Sequence, residues 1–231
     1  MSLADGAPTM PHAPPADRPV ALVTGFEPFG GAALNPSWEV ARALASELVG
    51  DARVQAVLLP CVFDQALPAL ASALARHRPR WVLALGLAGS RSAVSVERVA
   101  VNLVDARIPD NAGAQPVDRP VLAGGPAAWF TGLPAKAIVA RLVAAGLPAE
   151  LSHTAGSFVC NQVFYGLMNA LAGQPGVVGG FIHLPPLPEQ AGRHPLSRPM
   201  ALHDQVAAVG LALELVVAGV DELHTAAGRI D

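Results

Sequence analysis

Short apolar runs that read as strands alternate along this chain with runs that read as helices, and the gaps between them are rich in Gly, Pro, Asp and Asn. This alternation points to an α/β protein, because a strand followed by a helix returns the chain to a sheet covered on both faces. Strands are expected at Val20–Phe26, Val54–Pro60, Trp81–Leu87, Ala149–His153 and Gly180–Leu184. Asn35 is placed as an N-cap, with Pro36 at the first helical position, for a helix to about Leu48. Further helices are expected at Gln65–His77, Ala135–Ala145, Ser157–Ala172 and about Met200–Ala218. Between Glu97 and Arg119 the chain is dense in Asp, Asn, Arg and Pro and reads as one long irregular stretch, the kind of segment that carries function. With no internal repeat and no interior linker, one domain is expected over residues 19–231. Met1 to Arg18, rich in Pro, Ala and Asp and without an apolar core, reads as a disordered tail and not as a signal peptide.

Hydrophobic residues make up 52% of the 231 and charged residues 14%, enough to bury a substantial core. No uninterrupted apolar stretch is long enough for a membrane span, so no membrane partner is expected. A net charge of −3 without a basic stripe argues against nucleic acid. Two distant cysteines form neither a disulfide framework nor a zinc pattern, which fits a reduced, cytoplasmic setting without a metal or other cofactor.

One of them, Cys160, directly precedes an apolar helical run. A thiol in the first turn of a helix feels unpaired backbone N–H groups, which are expected to lower its pKa and can also stabilise an oxyanion. Such a nucleophile needs a base and a group to orient that base. Of seven histidines, His183 and His153 end expected strands, where α/β sheets place their ligands. Position favours His183 without excluding His153. Glu97, flanked by Val96 and Val99, reads as a partly buried acid, with Asp105 and Asp110 as rivals. The loop Thr24-Gly25-Phe26-Glu27-Pro28-Phe29-Gly30-Gly31 lacks both the phosphate-loop ending and the dinucleotide spacing, and it sets two aromatics three residues apart.

Four segments, VTGFEPFGGAALNPSWEVA, GLAGSRSAVSVERVAVNLVDARIPDNAGAQP, SHTAGSFVCNQVFYGLM and GGFIHLPPLPEQ, resemble pyroglutamyl-peptidase I, the pyrrolidone-carboxylate cysteine peptidases. The resemblance runs from about Val20 to the final helix. It implies a three-layer α/β/α sandwich around a twisted mixed sheet, and removal of an N-terminal pyroglutamyl residue from peptides by a Cys-His-Glu triad. By motif, Cys160 is then the nucleophile, His183 the base and Glu97 its orienting acid. Arg107, in DARIPDN, helps hold the oxyanion. Phe26 and Phe29 bind the lactam ring, with Asn35, Phe158 and Val159 close by. No cofactor is implied, and assembly as a homodimer or homotetramer is. Two positions depart from the family pattern: Leu87 stands where Gln is usual, and His153 where Asn is usual. The alternatives are a cysteine amidohydrolase of the same fold acting on another lactam or amide, and a non-catalytic binding relative.

Overall fold

A computed structural model describes residues 18–228. The expected tail therefore lies, apart from Arg18, outside the described residues, as do residues 229–231. The strands are β1 Val20–Phe26, β2 Leu48–Val49, β3 Ala52–Leu59, β4 Trp81–Leu87, β5 Val94–Glu97, β6 Val99–Val101, β7 Ala128–Phe130, β8 Ala149–Ser152 and β9 Val178–Leu184. The helices are α1 Pro36–Ala43, α2 Phe63–His77, α3 Ala135–Ala144, α4 Val159–Leu171 and α5 Leu202–Val217, with a 3₁₀ turn at Pro188–Arg193.

Seven strands form one sheet in the order β2-β3-β1-β4-β9-β5-β8, while β6 and β7 pair separately. The sheet is mixed, because β5 runs antiparallel to β9 and β2 antiparallel to β3 while the other neighbours are parallel. Successive strand residues point to opposite faces. On β4, Leu83 and Leu85 join one core cluster with α1, α3 and α5, whereas Val82 and Ala84 join another with α2 and α4. All seven β4 residues are buried. That is the signature of a strand covered on both sides. The result is the expected three-layer sandwich.

Most boundaries fall within two residues of expectation, and two regions differ by more. Helix α1 stops at Ala43, not near Leu48, because Ser46 adopts a left-handed φ of 70° and its N–H turns to Val54 O. Leu48 and Val49 then enter the sheet as an edge hairpin. The segment expected to be irregular from Glu97 is partly ordered as well. Glu97 ends β5, β6 follows at once, and the rest is tied down by a bridge between Val104 and Arg119.

Candidate active site

The period of two along strands brings the chemistry onto one face. On β9, Phe181 belongs to the core beneath α2 and α4, and His183, two residues on, shares that side. On β5, Val94 and Val96 face the opposite cluster, so Ser95 and Glu97 turn toward the α2/α4 side. Ser95 is the register partner of His183. Glu97 Oε1 then lies 2.7 Å from His183 Nδ1. Since a carboxylate only accepts, Nδ1 carries the proton and Nε2 is left as an acceptor.

Cys160 is the second residue of α4, following Phe158 as N-cap. Its Sγ rests on the end of β4 at Gly86, the register partner of His183; a Cβ on Gly86 would lie 2.8 Å from it. Thiol and imidazole are thus gathered near the carboxyl ends of the parallel β4 and β9, and the carboxylate reaches them from the antiparallel β5. No hydrogen bond joins Sγ to His183.

The rivals are placed elsewhere. His153 is exposed and lines a separate cavity with Glu150 and Thr154. Asp110 is consumed as a cap: Oδ2 accepts from Phe63 N at 2.8 Å, starting α2, and Oδ1 accepts from Ala112 N and Ala114 N. Asp105 is exposed, and its contribution is backbone, donating to Ser157 O and accepting from Ser157 Oγ at 2.7 Å. That staple fixes the nucleophile loop against the segment carrying Arg107.

Arg107 is exposed, lines the cleft beside Leu87 and Phe29, and has no side-chain partner among the described residues. Phe29 packs on Phe158 at 6.2 Å between ring centroids, and Phe158 meets Phe63 edge-on at 5.1 Å. Phe26 and Val159 are core residues, 2% and 0% exposed. Asn35 caps α1 as expected, but its side chain is spent internally: Oδ1 accepts from Ser37 N and Ser37 Oγ, and Nδ2 donates to Glu27 O. Its part in the site is to shape the first loop.

Three residues were missed from sequence. Arg91 donates to Glu97 Oε1 at 2.5 Å and to Thr154 O at 2.7 Å, joining the acid to the nucleophile loop. Asn161, fully buried, accepts from Val101 N and donates to Val101 O and Leu103 O, pinning β6 to α4. Ser152 is the register partner of Glu97, whose Oε2 has no hydrogen-bond partner within normal distance although it is buried. A lone Arg after a Gly-Ser turn, or an Asn following the cysteine, gives no sequence signal of its partner, whether six residues away as Glu97 is from Arg91 or about sixty as Val101 is from Asn161.

Burial pushes Glu97 upward, but the hydrogen bond and charge of His183, the charge of Arg91 and the Ser152 hydroxyl outweigh it and hold the carboxyl below its ordinary range. His183 is lowered, because burial outweighs the opposing pull of Glu97. The Cys160 expectation needs correction. Burial pushes its thiol up, Cys61 and Glu97 add to the rise, and Arg91 and the backbone N–H at the helix start do not overcome it. A helix-end partial charge is smaller than the cost of a thiolate held away from water. Cys61, 3% exposed, is raised to about 12 by burial, Asp110 and Glu27. Among the described residues no group of His, Cys, Asp and Glu could hold a metal ion, and no helix is long and apolar enough to cross a membrane.

A thiol at a helix start, beside an imidazole bonded to a buried carboxylate on an α/β sandwich, is the arrangement of a cysteine-type hydrolase. The sequence profile of pyroglutamyl peptidase matches residues 20–219. The pyrrolidone-carboxylate peptidase of Cupriavidus pinatubonensis is 52% identical over 90% of this chain and 98% of its own length. That of Chromobacterium violaceum is 56% identical over 87% of this chain and 94% of its own. The crystal structure of Bacillus amyloliquefaciens pyroglutamyl peptidase I superposes with a TM-score of 0.85 at 42% identity, covering 90% of this chain and 100% of that one. The chain belongs to the pyroglutamyl peptidase family.

Proposed function

We propose that this enzyme hydrolyses the amide bond after an N-terminal pyroglutamyl residue, using Cys160 as nucleophile, His183 as base and Glu97 to orient it. The observation that carries this reading is the 2.7 Å bond from His183 Nδ1 to Glu97 Oε1, made next to the strand position that supports Cys160 Sγ. Because the thiol is pushed up and the imidazole down, the resting pair is thiol and neutral imidazole. Nε2 takes the thiol proton as Sγ attacks the carbonyl carbon. The negative oxygen that forms is held by the Cys160 N–H, one of the unpaired donors of the first turn of α4, and by Arg107. The C–N bond then breaks, His183 returns the proton to the leaving amine, and a thioester remains. Water, deprotonated by the same Nε2, attacks the thioester to release pyroglutamate and restore the thiol.

The lactam ring is neutral, so its pocket is apolar and aromatic. Phe29 and Phe158 supply the rings, with Phe26, Val159 and Asn35 supporting the walls behind them. Assembly as a homodimer or homotetramer in the cytoplasm belongs to the same reading, supported by the resemblance and by the two free cysteines. A fluorogenic pyroglutamyl amide, compared with the matching proline amide, tests it. Hydrolysis of the first alone is expected. Equal turnover of both, or turnover that survives Cys160→Ala, would overturn it.

A further inference from the structure

The cleft that opens from Leu87, next to Gly86 and the thiol, is a cavity of about 490 Å³ with a charge pattern unlike the rest of the chain. The molecule carries 18 acidic and 15 basic residues. The ionisable residues lining this cavity are Arg107, Arg193 and His194, with no carboxylate among them. Arg193 ends the 3₁₀ turn and His194 caps it. One guanidinium nitrogen of Arg193 donates to Gly30 O at 2.5 Å. The His194 ring lies so close to Gly89 that a Cβ there would come within 2.4 Å of it. His194 is lowered by burial and by Arg193, so at neutral pH it is a polar neighbour and the charge comes from the two arginines. Arg193 keeps donors that Gly30 does not use, while Arg107, given to the oxyanion in the reading above, adds positive charge to the same cavity. Guanidinium forks left open in this way match a carboxylate.

We propose that this mouth holds the part of the substrate after the scissile bond and selects for a carboxylate there, on the side chain of the next residue or at the C-terminus of a short peptide. The inference rests on the pyroglutamyl reading. The cavity begins at Leu87, the residue after the Gly86 that Sγ rests on, and so lies within reach of a peptide bound at the thiol. Two solvent-reached charges give a preference of about 2- to 30-fold in kcat/KM, screened by salt.

Pyroglutamyl-glutamate amide against pyroglutamyl-glutamine amide isolates a side-chain carboxylate in near-isosteric substrates. Pyroglutamyl-alanine against its amide isolates the terminal one. A ratio above one in at least one pair is expected, falling as salt rises, reduced by Arg193→Gln and largely kept by Arg193→Lys. Ratios at or below one in both pairs, or a preference undiminished in Arg193→Gln, would overturn the inference while leaving the pyroglutamyl reading standing. Failure to hydrolyse the neutral amides would overturn both.

Discussion

Gly86→Ala tests the placement of the nucleophile directly. The added Cβ would lie 2.8 Å from Cys160 Sγ and 2.8 Å from Phe181 Cζ. Something must yield by about 0.6 Å to reach the 3.4 Å at which ordinary contact begins. Phe181 has little room, being fully buried with Phe164 at 5.7 Å and His183 at 4.9 Å between ring centroids. Cys160 is less tightly enclosed, an intermediate residue in the first turn of α4, so the thiol is the group that moves. A misplacement of 1 Å costs on the order of 100-fold, so kcat is expected to fall about 10- to 100-fold with KM little changed. Overpacking costs about 1–3 kcal/mol, which lowers Tm by roughly 2–12 °C in a domain of this size. Steady-state kinetics on a fluorogenic pyroglutamyl amide and a thermal melt measure both. Wild-type kcat with a lowered Tm would show that Phe181 gives way, and would refute the placement of Sγ against this strand.

Arg107→Ala is expected to lower kcat by about 10²–10³ with Tm nearly unchanged, since the side chain has no structural partner to lose among the described residues; Arg107→Lys should rescue poorly, and an unaltered kcat would remove Arg107 from the oxyanion site. Iodoacetamide should label Cys160 before Cys61, because Cys160 is partly exposed while Cys61 is 3% exposed; mass spectrometry showing the reverse order would contradict the assignment. Glu97 is held low in the folded protein and His183 is lowered too. In both cases the unfolded chain binds more protons, so stability is full above about pH 6.5 and falls as the medium is acidified. Arg91 holds both Glu97 and His183 down, so Arg91→Met should raise the titration of each, as followed by NMR; titrations of both groups unmoved from wild type would show that Arg91 acts on neither.

Periodicity made the layered α/β architecture readable without coordinates. The apolar run at Trp81–Leu87 was recognisable as a strand, and Asn35-Pro36 as a helix start, because those signals are local. The motifs around Cys160, His183 and Glu97 likewise carried the family. Strands β2, β5, β6 and β7 went unrecognised. They are two to four residues long, too short to show a period, and their stability comes from partners distant in sequence. The choice among Glu97, Asp105 and Asp110 by contact needed the fold, because it depends on which strand pairs with β9 and which carboxylate is already used as a helix cap. The state of the thiol was also a tertiary property. The helix start, visible in the sequence, argued for a lowered pKa, but the packing of β4 and Phe181 around Sγ removes water from it, and that desolvation outweighs the helix end.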